Sequence, residues 1–152
     1  EEDTGFAGPS RVLDVGTGSG VLAFACVKLG ATHAVGFDLD PVAIDAARVA
    51  AETNGLSDRI ELRVCPIEAL DAAHAAFPLI VANLLKREIL PIAGAVAARL
   101  APRGRLVLAG LLEEDEAEVL ARFADEGLVP VGASRAVVDG IGRWVSPCLT
   151  PA

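Results

Sequence analysis

Short apolar runs alternate along this chain with longer segments in which apolar residues recur at helical spacing, and Gly, Pro, Asn or Asp separates them. Arg11 to Val15 predicts a first strand. Ser19 to Leu29 predicts a helix ended by Gly30, since glycine readily takes the left-handed conformation that closes many helices. Ala34 to Asp38 reads as the second strand. Asp40 caps the next helix and Pro41 takes its first position, where a missing N–H is harmless. Ile44, Ala47 and Ala51 then share one face until Asn54-Gly55. Arg59 to Val64 alternates as a third strand. Ile67 to Ala75 reads as a loop with a short helix, Leu79 to Asn83 as a fourth strand, and Glu88 to Leu100 as a helix ended before Pro102-Arg103-Gly104. Arg105 to Ala109 is a fifth strand, and Glu113 to Glu126 a helix capped by Gly127. The pattern then changes: Val129 to Val138 and Ile141 to Leu149 are apolar runs joined at Asp139-Gly140, a hairpin signal.

Repeated strand–helix units imply an α/β fold: a doubly wound, mostly parallel sheet with helices on both faces. The terminal hairpin adds one reversed strand. At 152 residues one domain is expected. Residues 1–10 read as a disordered or truncated leading segment, 11–149 as the folded domain and 150–152 as a tail. The start lacks an initiator Met and any signal-peptide pattern, which suits a piece of a longer protein. No apolar stretch of about 20 residues suggests a membrane span.

Charge narrows the function classes. The net charge is -8, with no basic stripe, so direct nucleic-acid binding is not expected. The acidic run Glu113-Glu114-Asp115-Glu116 reads as a solvated helix start, where carboxylates are favourable; a docking face for a basic partner is the sharper alternative. Cys26, Cys65 and Cys148 form no Cys-x-x-Cys pair, so they read as buried thiols, with no metal site and a cytoplasmic setting.

The candidate chemistry lies in Asp14-Val15-Gly16-Thr17-Gly18-Ser19-Gly20, between the first strand and first helix. Glycines at alternate positions let backbone approach a ligand closely, and the helix start aims free N–H groups at the same place. A nucleoside-type cofactor follows. Asp38 stands 22 residues beyond Gly16, close to the ~20-residue spacing at which an acid reaches ribose hydroxyls. In a doubly wound sheet, ligands sit at the carboxyl ends of strands, which adds Asn83 to the set. A nicotinamide fingerprint needs its third glycine one position later, where Val21 stands.

Val12 to Gly20 resembles the first motif of the class I S-adenosylmethionine (SAM) methyltransferases. Gly36-Phe37-Asp38-Leu39-Asp40-Pro41 is similar to their second motif, and Val81-Ala82-Asn83-Leu84-Leu85 to their fourth. More narrowly, the chain resembles the catalytic domain of the PrmA-type enzymes, which methylate a large-subunit ribosomal protein. Gly110-Leu111-Leu112 and Arg143-Trp144-Val145 extend that likeness over roughly residues 11–149. Those enzymes also carry an amino-terminal recognition domain and a covering loop and helix that Glu1 to Ser10 does not match.

The resemblance implies a Rossmann-like seven-stranded sheet and SAM as cofactor. It implies that Asp38 holds the ribose, that Gly16, Gly18 and Gly20 line the methionine part, and that Thr17 and Ser19 donate to its carboxylate. Asp14 either anchors the loop or accepts from the methionine ammonium. Leu39 lies on one adenine face, with Ile67 and Glu68 at the other edge. Asn83 orients the acceptor, a protein amine, since its amide both donates and accepts. No general base stands out: His33 begins the second strand, the wrong end, and His74 lies in an Ala-rich loop. Lys86 and Arg87 read as surface-helix residues and Trp144 as sheet packing. The alternatives are a SAM enzyme acting on RNA or a small molecule, a nicotinamide-dependent oxidoreductase, and a non-catalytic SAM-binding module.

Overall fold

The first five elements alternate strand and helix: β1 (Arg11–Val15), α1 (Val21–Lys28), β2 (His33–Asp38), α2 (Pro41–Thr53) and β3 (Ile60–Val64). The structure, a computed structural model, describes residues 9–71, 75–140 and 142–152. β2 pairs in parallel with β1 on one side and β3 on the other. Its central residues Ala34 to Phe37 are all buried, as suits an apolar strand flanked on both edges. Asp40 caps α2, its side chain accepting from the Val42 N–H at 2.8 Å, with Pro41 beside it. Ile44, Ala47 and Ala51 form the buried face of α2. α1 starts later than the periodicity suggests, because Ser19 and Gly20 belong to the preceding loop.

A second set of elements follows a 3₁₀ turn at Ile67–Ala69. β4 (Phe77–Asn83) leads to α3 (Lys86–Ile89), a 3₁₀ turn at Leu90–Ile92 and α4 (Ala93–Ala97). Then come β5 (Leu100–Ala109), β6 (Leu111–Leu112), α5 (Glu113–Ala124), β7 (Leu128–Pro130), β8 (Arg135–Val138), β9 (Arg143–Ser146) and β10 (Cys148–Pro151). β4 and β5 are parallel. β10 runs antiparallel to both β5 and β7, and is the one reversed strand here. The contacts divide the chain into two compact units, Glu1–Pro66 and Ile67–Ala152, where length alone suggests one domain. The division falls between the two strand–helix halves from which doubly wound sheets are built. In the first unit the strand order is β3-β2-β1, and in the second β4-β5-β10-β7.

Four expectations need correction. The helix expected over Glu88 to Leu100 is broken into α3, a 3₁₀ turn and α4 at Pro91, whose ring and missing N–H interrupt the helical ladder. β5 reaches back to Leu100 and takes in Pro102-Arg103-Gly104, where a turn was expected. The extra residues are absorbed by a register shift, Phe77 facing Leu100 while Leu79 faces Arg105. The hairpin forms, β8 against β9, but it joins β6 in a separate three-stranded sheet. Pro147 separates β9 from β10, and its carbonyl accepts from the Leu108 N–H at 3.0 Å. Finally, Thr150 and Pro151 are strand rather than tail: they face Val129 and Leu128, and the Thr150 hydroxyl donates to the Gly104 carbonyl at 3.0 Å.

The three cysteines are half-buried and free rather than buried. Among the described residues no helix is long and apolar enough to cross a membrane, and no cluster of metal-ligating side chains occurs. The leading residues 1–8 and His74 lie outside the described residues.

Candidate functional site

In the first unit, the loop between β1 and α1 is held from within. Asp14 ends 1% exposed. One oxygen of its carboxylate accepts from the Thr17 hydroxyl at 2.7 Å and from the Ala23 N–H at 3.0 Å, tying the loop to the first turn of α1. These are the bonds of a loop anchor. Burial pushes the Asp14 carboxyl up from 3.8 to about 6; its two donors pull the other way, and nearby Asp38 adds a smaller push upward. Thr17 therefore uses its only hydroxyl hydrogen on Asp14, leaving the exposed Ser19 as the loop's free hydroxyl donor.

The glycines of this loop all have positive φ: 65° at Gly16, 53° at Gly18 and 84° at Gly20. Gly20 is constrained twice, since a Cβ there would also lie 2.5 Å from the Phe24 ring. Around Gly18 the position of a Cβ is open space, so that face of the loop is accessible.

Asp38, half-buried at the end of β2, reaches across to the loop. One carboxylate oxygen accepts from the Gly18 N–H at 2.9 Å and the other from the Asp40 N–H at 3.0 Å. Each oxygen keeps a second acceptor site. The neighbouring Leu39 is 72% exposed, an apolar face beside a carboxylate. The structure thus brings together Asp14, Thr17, Gly18 and Asp38 through side-chain and backbone bonds, with Gly16, Ser19 and Gly20 in the same loop.

In the second unit, Asn83 is exposed at the end of β4, and its amide has no hydrogen-bond partner among the described residues. Gly110 lies against it: a Cβ at Gly110 would stand 2.7 Å from Asn83 Oδ1. The signal of Gly110 in the sequence is a glycine directly after a strand, whose last residue, Ala109, faces Asn83. The Leu84 N–H donates to the Ala109 carbonyl at 3.2 Å and the Leu85 N–H to Glu88 at 2.9 Å, fixing the exit from β4. Ile67 is 2% exposed, and Glu68 beside it is exposed.

Lys86 is more than a solvated helix residue. Its ammonium lies 2.6 Å from Asp115 and 3.0 Å from Glu118, and both carboxylates push its pKa well up. Glu113 pairs with Arg143 at 2.9 Å and Glu116 accepts from the Ser134 hydroxyl, so the acidic start of α5 is largely engaged by its own unit. A cavity of about 410 Å³ opens there, lined by Leu112, Glu113, Glu114, Gly142 and Arg143. Trp144 is half-buried on β9, its Nε1 donating to Asp139 at 2.9 Å. His33 lies at the amino end of β2, facing Arg11 and away from the Asp38 end.

The sequence profile of the ribosomal protein L11 methyltransferases (PrmA) matches residues 3–133. The ribosomal protein L11 methyltransferase of Geobacter sp. (strain M21) is 45% identical over 121 residues, 80% of this chain and 39% of that protein. That of Geobacter sulfurreducens is 42% identical over 136 residues, 90% of this chain and 42% of the relative. The chain thus spans about two fifths of the curated relatives it matches. Among solved structures, the ribosomal protein L11 methylase of Lactobacillus delbrueckii subsp. bulgaricus superposes with a TM-score of 0.82 at 28% identity, covering 94% of this chain and 70% of that one. The magnesium protoporphyrin IX methyltransferase of Synechocystis with bound SAM, at 17% identity, has a TM-score of 0.78 over 97% of this chain and 73% of its own, and so shares the fold. The fold class is therefore the Rossmann-like α/β sheet of methyltransferases, with seven strands in its main sheet. On the profile match and these identities, the chain belongs to the ribosomal protein L11 methyltransferase family.

Proposed function

We propose that this chain is the SAM-dependent catalytic domain of a protein N-methyltransferase acting on a ribosomal protein in the cytoplasm. The observation that carries this reading is the loop in which the Gly18 amide is held by Asp38 and Thr17 is held by Asp14. Its relatives are named ribosomal protein L11 methyltransferases, and a structure of the same fold has SAM bound.

The residues present fit the cofactor. Asp38 has spare acceptor sites for ribose hydroxyls, Leu39 offers an apolar face to adenine, and the space over Gly18 is open. Gly16, Gly18 and Gly20 bring backbone close to the methionine half, and Ser19 donates to its carboxylate. Asp14, turned inward, keeps this loop in shape. Glu68 meets the adenine edge. When bound, SAM supplies a methyl group on a sulfonium, which requires no covalent enzyme intermediate. The chain's task is then positioning, which in well-oriented systems supplies up to ~7–11 kcal/mol. Asn83 orients the acceptor amine through its free amide; desolvation favours the neutral amine, and bulk water accepts the proton it loses.

Incubation of the chain with methyl-labelled SAM and the proteins and RNA of the large ribosomal subunit tests the reading. Label is expected in a protein, and Asn83→Ala is expected to lower transfer at least tenfold while SAM affinity holds, since a lost hydrogen bond to a charged or polarised group is worth about 1.5–3 kcal/mol. Label entering RNA alone overturns the protein acceptor.

A further inference from the structure

The Asn83 amide is exposed at the end of β4 and has no hydrogen-bond partner among the described residues. The torsion that turns an Asn amide has only a broad preference. Its direction is therefore set by what the side chain packs against, and Gly110 is such a wall. A Cβ at Gly110 would stand 2.7 Å from Asn83 Oδ1 and 3.0 Å from the Leu84 carbonyl oxygen.

The wall is held in place from both sides. Ala109 faces Asn83 in the β4–β5 ladder, and its carbonyl accepts from the Leu84 N–H at 3.2 Å. Leu111 is fully buried and faces Val145 on β9. The Leu84 carbonyl is main chain next to this ladder, so of the two oxygens near a Cβ the Asn83 amide is the one free to turn away. The bend from β5 to β6 does not by itself account for the residue type. Gly110 has φ 77°, which Asn and Asp also tolerate; the contact with Asn83 excludes them as well. Gly127 shows the difference: it has φ 78°, yet a Cβ there would meet nothing within 4 Å.

Resting on the acceptor-orienting role proposed for Asn83, we infer that Gly110 is a positioning residue for methyl transfer, its bare Cα leaving the Asn83 amide the direction in which it meets the acceptor amine. A side chain at this position turns the amide and misplaces the amine, without touching the loop between β1 and α1.

The test is transfer from methyl-labelled SAM to large-subunit ribosomal proteins by the whole chain, with SAM affinity measured by calorimetry. Gly110→Ala is expected to lower transfer by about 10- to 100-fold at unchanged SAM affinity, the scale of a misplaced reacting group. Gly110→Asn brings the same Cβ with less backbone strain, and is expected to lose transfer likewise should the Ala variant fail to fold. Gly127→Ala, with the same φ and open space, is expected to transfer as wild type does. In the Asn83→Ala background, Gly110→Ala is expected to add no further loss, because it acts through Asn83. A folded Gly110 variant that transfers as wild type does overturns the inference. So does a loss that multiplies with that of Asn83→Ala, or one that Gly127→Ala reproduces. Undiminished transfer by Asn83→Ala overturns instead the role of Asn83 on which the inference rests.

Discussion

Asp14 gives the loop between β1 and α1 a titratable anchor. Its carboxyl is raised to about 6 because desolvation outweighs the two hydrogen bonds it accepts. The folded state therefore holds the proton more tightly than the unfolded chain does. The stabilisation from this group is fully present below pH 4 and is lost as pH rises through about 6, a change of about 3 kcal/mol at most. Asp14→Asn cannot ionise. Measured by denaturation across pH, the stability of Asp14→Asn relative to wild type is expected to rise between roughly pH 4 and 6.5 and to level off above. A gap that does not vary with pH would show that Asp14 is not the titrating group. Asp38 acts differently: it is half-buried, accepts from two backbone N–H groups and keeps acceptor capacity for a ligand.

At the scale of elements, packing rather than charge sets which pieces matter for stability. Phe123 on α5 is fully buried, whereas Val137 on β8 is 68% exposed. Phe123→Ala is expected to cost about 3–5 kcal/mol, and Val137→Ser less than about 0.5 kcal/mol; chemical denaturation of the two variants checks the contrast. The same contrast explains what could be read from the sequence. β1, α1, β2, α2 and β3 were legible because local periodicity and caps such as Asp40-Pro41 agree with their final places. Pro91 stands inside a run of helical spacing after β4, where its ring breaks the helix into two short pieces. The extension of β5 through Pro102 and Gly104 was not legible, since it depends on Phe77 pairing with Leu100. The glycine loop between β1 and α1 was legible in its residue types. The bond from Gly18 to Asp38 and the contact of Gly110 with Asn83 depend on tertiary approach and carry no local pattern.

At the scale of the whole molecule, each compact unit holds part of the proposed machinery: the loop with Asp38 in Glu1–Pro66, and Asn83 and Glu68 in Ile67–Ala152. The chain spans about two fifths of the curated relatives. The central claim is that the loop and Asp38 form a SAM site. Calorimetric titration of the chain with SAM, its demethylated product and NAD tests it most directly. The account predicts binding of SAM and its product, weakened about tenfold or more by Asp38→Ala. Binding of NAD without binding of SAM would contradict it.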